Sequence, residues 1–153
     1  MRKIVPLREL KDYVGQDLGC SEWLRIDQAR IDAFAEVSDD RQFVHVDPER
    51  AGKTFFGSTI AHGFLTLSLL THLTSDLGVV PEGMTMGINY GFDKVRFLQP
   101  VKVNDEIRAC SKLLDVTEKQ TGHVLLKSAV TIEIRGETRP ALVAEWLGLV
   151  VTS

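Results

Sequence analysis

The sequence predicts an α+β domain in which a long, curved antiparallel sheet wraps around one buried central helix. A stretch without Asp, Glu, Lys or Arg lies between Lys53 and Asp76, and its apolar residues fall on nearly every face of a helical wheel, which is typical of a buried helix. From Gly83 onward, apolar residues recur at every second position, as in strands. Helical patterns followed by a run of strands indicate an α+β domain, and a sheet curled round the apolar helix is the simplest way to bury it.

Several local signals set the elements before and around the central helix. Asp27 is a good N-cap, Pro48 suits the first position of a short helix, and Gly78 suits a left-handed end to the central helix. The segment 38–47, SDDRQFVHVD, has no periodicity and is expected to be a loop. The expected elements are a short helix at 7–14, a strand at 18–26, a helix from 28 to about 37, one helical turn after Pro48 and the central helix within 58–77.

Four consecutive antiparallel strands are expected in the second half of the chain. Pro100 with Asn104–Asp105, and the run Arg135-Gly-Glu-Thr, supply turns between them. The last strand is apolar almost throughout, which predicts burial on both faces, by the helix and by a partner. The expected strands cover 84–98, 106–116, 122–135 and 140–151.

Composition indicates one globular domain covering 1–153. Hydrophobic residues make up 44% of the chain and charged residues 25%, both ordinary values. The net charge of −3 provides no basic footprint for nucleic acid. The central stretch is long enough to span a bilayer, but its histidines and hydroxyl residues and the lack of basic flanks argue against a membrane span. The basic N-terminus is followed by no apolar signal segment, so we expect a cytoplasmic protein.

The sequence predicts no metal site and no cofactor site. Cys20 and Cys110 are far apart, show no metal-binding spacing and are too few for a disulfide scaffold, so both thiols are expected to be reduced. His62 and His72 fall on different helical faces, with no other ligand at suitable spacing, and are expected to be core histidines. No glycine-rich phosphate loop and no G-x-S-x-G sequence occurs.

Asp40 and His45 are the first candidates for chemistry. On one helix, residues five apart lie about 140° from each other and do not meet, but on a loop they can converge. A carboxylate beside an imidazole can orient the ring, or the two can hold one water between them. The alternative is that Asp39 or Asp40 caps a turn and His45 lies on the surface.

Gly63 is the second candidate. Near the start of the central helix its N–H is one of the donors without an intrahelical partner, and the helix dipole adds positive potential there. Such a donor can polarise a thioester carbonyl and stabilise an enolate. The alternative is close packing of the helix against a strand.

Three segments carry a resemblance to a known family. FAEVSDDRQFVHVDPERA, from Phe34 to Ala51, resembles the hydratase motif of the MaoC-like dehydratases, also called (R)-specific enoyl-CoA hydratases. IAHGFLTLSLL resembles the buried helix of that family, and the segment from Ile88 to Ile107 is similar to its following strand. The pair Gln42–Phe43 in place of Asn-Pro is typical of the nodulation-protein-N-like branch.

The resemblance implies a hot-dog fold that acts as a homodimer or a dimer of dimers, with a CoA thioester in a tunnel at the dimer interface. By the same resemblance, Asp40 and His45 match the catalytic aspartate and histidine, and Gly63 matches the glycine whose amide binds the thioester carbonyl. Thr71 falls where some members have a serine lining the site. The sequence departs from the family motif at two positions. Asp39 replaces the motif glycine, and its side chain is expected to point to solvent. Phe43 replaces the motif proline and is expected to alter the acyl pocket.

The function implied is hydration of a trans-2-enoyl-CoA, or dehydration of a 3-hydroxyacyl-CoA, without a metal or redox cofactor. Asp40 and His45 hold the water, and the Gly63 amide stabilises the enolate oxygen. The sequence leaves three alternatives open, namely a hot-dog acyl-CoA thioesterase, a non-catalytic acyl-thioester binding protein and a purely structural dimer.

Overall fold

The computed structural model describes residues 2–153, which form eight strands and five α-helices. The helices are α1 (Gln28–Ser38), α2 (Phe43–Val46), α3 (Pro48–Gly52), α4 (Gly63–Ser68) and α5 (Leu70–Leu73), and a 3-10 helix covers Leu7–Tyr13. The strands are β1 (Lys3–Val5), β2 (Asp17–Cys20), β3 (Leu24–Arg25), β4 (Val79–Pro81), β5 (Met84–Phe97), β6 (Glu106–Gln120), β7 (His123–Ile134) and β8 (Leu142–Thr152). The α+β prediction is confirmed.

The four long strands form the predicted antiparallel sheet, but their order in space differs from their order in the chain. The sheet runs β2-β6-β7-β8-β5, with β3 also paired to β6. β6, β7 and β8 are neighbours joined by short turns, whereas β5 pairs with β8 and leaves its other edge free. The turn predicted at Pro100 and Asn104–Asp105 therefore does not join neighbouring strands of the sheet. The segment after β5 crosses to the helix instead, where Ile60 and Lys102 form a bridge.

The central helix is shorter than the apolar stretch that predicts it. α4 and α5 meet at Leu69, and the bonds Leu69 N–H to Leu65 O (3.1 Å) and Leu73 N–H to Leu69 O (2.8 Å) carry the helical ladder across the joint. The leucines at 65, 69, 70 and 73 are buried against the inner faces of β6, β7 and β8. Phe64 is 69% exposed, so in the isolated chain the helix is buried on one side and not all round.

The caps that the sequence indicates are present at the smaller helices. The Asp27 carboxylate accepts a bond from Arg30 N at 2.9 Å and begins α1, and Asp47 does the same for Arg50 N at 3.0 Å at α3, where Pro48 is the first residue. Gly78 has φ 95°, a left-handed conformation that glycine adopts without steric cost, but α5 ends at Leu73 with Thr74 as its C-cap, so the prediction that Gly78 ends the central helix is wrong. The two aspartate caps fix where α1 and α3 begin.

The expectation of reduced cysteines is wrong for this structure. Cys20 on β2 lies directly opposite Cys110 on β6, with Cα atoms 4.0 Å apart, and the two sulfur atoms form a disulfide. Ninety residues separate them in the sequence, so their spacing contains no sign of the pairing. Among residues 2–153, no helix combines the length and the apolar character that crossing a membrane requires.

Candidate active site

The loop that carries Asp40 is turned by an unusual residue. α1 ends at Ser38, and Asp39 follows with φ 57° and ψ 13°, in the left-handed region that favours glycine and tolerates Asp. This conformation accounts for the glycine that the related motif has at the same place. The Asp39 side chain is 84% exposed and its carboxylate accepts a bond from Arg41, so it points to solvent as expected. Asp40 follows directly and is exposed.

His45 is fixed on α2 by bonds to both its ring and its backbone. The ring is 7% exposed, and its Nδ1 lies 2.7 Å from Ile60 O, so Nδ1 carries the hydrogen and Nε2 has a free lone pair. The Gln28 amide of α1 donates to His45 O at 2.8 Å and accepts from the Thr59 hydroxyl at 2.5 Å. Helix α1, α2 and the segment before α4 are thereby joined at this histidine.

The protonation state of His45 suits a base. Burial lowers the pKa of the His45 imidazole, and the His62 ring acts in the same direction, while the Ile60 carbonyl and the Asp40 carboxylate raise it. The net direction is downward, so the ring is uncharged at neutral pH and its Nε2 can accept a proton.

His62 lies beneath the candidate pair, although its sequence position predicts only a core residue. It is 3% exposed, its Nε2 donates to the Asp40 backbone carbonyl at 2.9 Å, and its ring stacks on His45 with 3.7 Å between centroids. The Phe34 ring lies 5.0 Å away on the other side. His62 therefore contacts both candidate residues and also caps α4 through its carbonyl, which accepts from Thr66 N.

Gly63 begins α4, and two features mark its position. Among residues 2–153 its N–H has no backbone acceptor, as expected for the first residue of a helix. A Cβ built on Gly63 would lie 3.1 Å from two ring carbons of Phe97. Both interpretations of this glycine, a free donor and close packing against a strand, thus find support in the structure.

A cleft of about 330 Å³ connects the imidazole with the start of α4. His45, Gly63, Phe56, Thr66 and Phe97 are among its lining residues. It is partly open to solvent and its lining is mainly apolar, so it can accommodate an apolar chain.

The structure places the other candidate residues in different surroundings. Gln42 begins α2, and its carbonyl accepts from His45 N at 2.9 Å. The Phe43 ring lies under the Arg50 guanidinium, 4.3 Å from its centroid, and is absent from the lining of the cleft beside His45. Thr71 lies further along the helix, where it lines two clefts between the helix and the sheet.

Asp40, His45 and His62 could also approach a cation together. One ligating atom from each lies within 4.8 Å of the others, and each ring has one nitrogen not engaged by a backbone carbonyl. His62 Nδ1 is buried and has no partner among residues 2–153. This grouping is not predicted from the sequence, because His62 comes from a different element. The same geometry is suited to hold one water between a carboxylate and an imidazole.

A sheet curled round a helix, with an uncharged histidine and a free helix N–H around one cleft and an aspartate carboxylate within 4.8 Å of that histidine, defines a hot-dog-fold hydro-lyase, that is, a hydratase or dehydratase. A family profile described as MaoC like domain matches residues 9–133. The chain belongs to the MaoC-like domain family.

Relatives and solved structures agree with this family. The chain is 44% identical over 146 residues to Nodulation protein N of Rhizobium leguminosarum bv. viciae, covering 94% of this chain and 90% of the relative. It is 42% identical over 145 residues to 3-hydroxyacyl-thioester dehydratase Z of Mycobacterium tuberculosis (strain ATCC 25618 / H37Rv), covering 95% of each. The (R)-hydratase from A. caviae involved in PHA biosynthesis has a TM-score of 0.69 and 28% identity, covering 88% of this chain and 94% of that one.

Proposed function

We propose that this protein adds water to a trans-2-enoyl-CoA to give the (R)-3-hydroxyacyl-CoA, and catalyses the reverse dehydration. The convergence of Asp40 and His45 beside the free N–H of Gly63 carries the proposal. The (R) outcome is supported by the 28% identical (R)-hydratase of known structure. CoA is the substrate carrier in this proposal, and no metal or redox cofactor takes part.

The lowered pKa of His45 supports a role for this residue as the base in the first step. The lone pair on Nε2 takes a proton from the water as its oxygen attacks C3, and Asp40 accepts the second hydrogen of that water and holds it in place. The C2=C3 electron pair shifts toward the thioester, and the enolate oxygen binds the Gly63 N–H. The proton on Nε2 then passes to C2, so the elements of one water are added and His45 is returned uncharged.

The experiment compares wild type with Asp40→Asn and His45→Ala, and follows loss of the conjugated enoyl-thioester absorbance. Each variant is expected to lose at least a hundredfold in kcat, within the range of general acid–base catalysis. Release of free thiol, measured in parallel, identifies a thioesterase. Tight acyl-CoA binding with neither signal identifies a binding protein. If both variants turn over at the wild-type rate, the proposed mechanism is wrong.

We also propose that the protein is a homodimer, or a dimer of dimers, in the cytoplasm. β5 is paired on one edge only, and apolar side chains along it are exposed, namely Met86, Ile88, Tyr90 and Phe92. A long edge strand with exposed apolar residues is an unstable surface for a monomer and is suited to pairing with a second copy.

A further inference from the structure

A second cavity, partly open to solvent, lies between the helix and the sheet, beyond the cleft that contains His45. Its volume is about 240 Å³, and it shares Thr71, Asn89 and Trp146 with a neighbouring cleft of about 230 Å³. Phe64 lines that neighbouring cleft, follows Gly63 in the chain and contacts the Phe97 ring edge-on at 5.9 Å. The three spaces thus follow one another along the helix and β5, starting at the candidate oxyanion donor. We call the 240 Å³ space the distal cavity.

The wall of the distal cavity contains a row of directly opposed residues across the sheet. Ser128 on β7 lies directly opposite Trp146 on β8, and Leu113 on β6 lies opposite Ser128. Directly opposed residues of antiparallel strands project to the same face. Trp146 packs against the core cluster that includes the central helix, so this face is the inner one.

The indole N–H of Trp146 has no acceptor. Its Nε1 is buried, and no hydrogen-bond partner lies within reach among residues 2–153. Buried polar groups in folded proteins are nearly always paired, so an unpaired donor beside a cavity indicates that an acceptor normally arrives from outside the chain.

Other polar side chains of the same cavity are also unengaged. Within residues 2–153, the hydroxyls of Thr71, Ser111 and Ser128 and the amide of Asn89 line the cavity without a side-chain hydrogen bond. Helix hydroxyls nearby differ, since Thr74 donates to Leu70 O at 2.7 Å and Ser68 to Leu65 O at 2.8 Å. Thr71 and Asn89 belong to exposed residues and also reach solvent, whereas Ser111 and Ser128 are partly buried, so the two serines are the polar groups that belong to the cavity wall.

The rest of the lining suits an apolar occupant. It is largely aliphatic, and its one charged residue, Arg2, is exposed to solvent. The remaining lining side chains that face the space are apolar, among them Leu18, Leu77, Leu113, Leu126 and Val150. An apolar chain with one neutral oxygen substituent matches this combination of groups.

We infer that the distal cavity selects acyl chains that carry a second, neutral oxygen function, a hydroxyl or a keto group, in their distal half. This inference rests on the proposed function, because it assigns the acyl end of the same substrate. Trp146 Nε1–H donates a hydrogen bond to the distal oxygen of the acyl chain, and the hydroxyls of Ser128 and Thr71 are its other hydrogen-bond partners. Thr71 lies eight residues beyond Gly63, about 12 Å along a helix, so the substituent is expected on a medium-length chain.

The test measures binding, by calorimetry, of saturated CoA thioesters that cannot be hydrated. Decanoyl-CoA is compared with analogues hydroxylated at successive carbons of the distal half, and with a thioester that ends in a carboxylate. At least one hydroxylated analogue is expected to bind wild type about tenfold more tightly than decanoyl-CoA, as one buried hydrogen bond allows. Trp146→Phe is expected to remove that difference, and Ser128→Ala to reduce it.

The matched control is Trp23→Phe, the same change at the other tryptophan. Trp23 lies between the guanidinium groups of Arg108 and Arg135, 4.7 Å from each, and takes no part in the distal cavity. The control is expected to keep the tenfold difference. Equal affinity for all neutral analogues, preference for the carboxylate, or an unchanged difference in Trp146→Phe would each overturn the inference.

Turnover separates this inference from the proposed function. If wild type hydrates trans-2-decenoyl-CoA but binds no hydroxylated analogue more tightly, the proposed function stands and the inference about the cavity is wrong. If wild type binds a hydroxylated analogue selectively, in a way that depends on Trp146, but hydrates no enoyl-CoA, the inference about the cavity stands and the proposed function is wrong.

Discussion

His62 is the residue whose position most changes the interpretation of the site. The spacing of His62 and His72 on a helical wheel predicts two core histidines, and for burial that is correct, since His62 is 3% exposed. The wheel cannot show that the loop after α1 folds back over His62, because that depends on the left-handed turn at Asp39. The loop predicted over 38–47 is correct at Asp40 but wrong at His45, which lies on the short helix α2 (Phe43–Val46), so the approach of these two residues and the role of His62 both depend on how several elements meet in space.

The first prediction concerns the pH dependence set by His62. Since burial lowers the pKa of His45, kcat/KM of wild type is expected to fall only below about pH 6.5, the ordinary histidine value. His62→Phe keeps a ring for stacking but removes the ring that lowers the pKa of His45 and the bond to Asp40 O. The acid limb should therefore move to higher pH, and kcat should fall about tenfold. Stopped-flow hydration assays across pH measure both.

The control for that prediction is His72→Phe, since His72 is exposed and lines only a cleft beside β2 and β3. It is expected to leave the pH profile unchanged. An acid limb in His62→Phe that coincides with wild type would show that His62 does not act on His45.

Asp39 gives a stability prediction at the same scale. The left-handed region costs a residue with a Cβ about 1–2 kcal/mol. The cost is smaller for Asp than for Ala, because the Asp side chain can form local hydrogen bonds. Asp39→Ala is expected to lower the free energy of unfolding by about 1 kcal/mol, whereas Asp39→Gly should leave it equal or higher. Urea denaturation monitored by fluorescence measures both. Equal loss in the two variants would instead assign the effect to the contact between Asp39 and Arg41.

At the scale of elements, the sequence predicts where the strands lie better than it predicts their order in the sheet. The four long strands fall within a few residues of their predicted limits, because alternation of apolar residues reports directly on a two-residue repeat. Their arrangement does not follow from alternation. The segment 98–105 is long enough either to make a turn or to cross to another strand, and it crosses because Ala61 N–H bonds to Val101 O at 2.7 Å beside the helix.

The contact between α4 and β5 allows the two roles of Gly63 to be separated. Gly63→Ala retains the backbone N–H but places a Cβ against the Phe97 ring, at 3.1 Å from two of its carbons. We expect a loss of about 1 kcal/mol in the free energy of unfolding and about a tenfold fall in kcat/KM, because the displaced ring enters the cleft. Phe97→Leu in the same chain should restore most of both, as measured by denaturation and enoyl hydration.

The single variant Phe97→Leu is the control and should hydrate short enoyl-CoA nearly as well as wild type. Activity that stays low in the double variant, although stability recovers, would mean that the backbone geometry at Gly63 itself matters to the oxyanion contact. Recovery of both assigns the glycine chiefly to close packing.

At the scale of the whole molecule, the exposed apolar surface indicates what the isolated chain lacks. The sequence predicts that the last strand is buried on both faces, but it is β5, beside it, that presents Met86, Ile88, Tyr90 and Phe92. Alternation cannot distinguish a strand that faces a helix from one that faces a second protein, since both remove the same apolar area from water. Phe64, exposed at the start of the helix, lies next to the same surface.

The last prediction tests this surface directly. Multi-angle light scattering of wild type is expected to give twice the 17.1 kDa chain mass or a multiple of it. Tyr90→Lys places a charge on an edge position that is 59% exposed, and should shift the measured mass toward 17.1 kDa. Val37→Lys introduces the same charge at an 82% exposed apolar position on α1 and should leave the mass unchanged. If wild type is monomeric at every concentration, the proposed dimer is wrong. If Tyr90→Lys remains dimeric while Val37→Lys dissociates, the interface lies on α1 and not on β5. Because the proposed substrate tunnel lies between two copies, a monomeric Tyr90→Lys should also lose affinity for CoA thioesters.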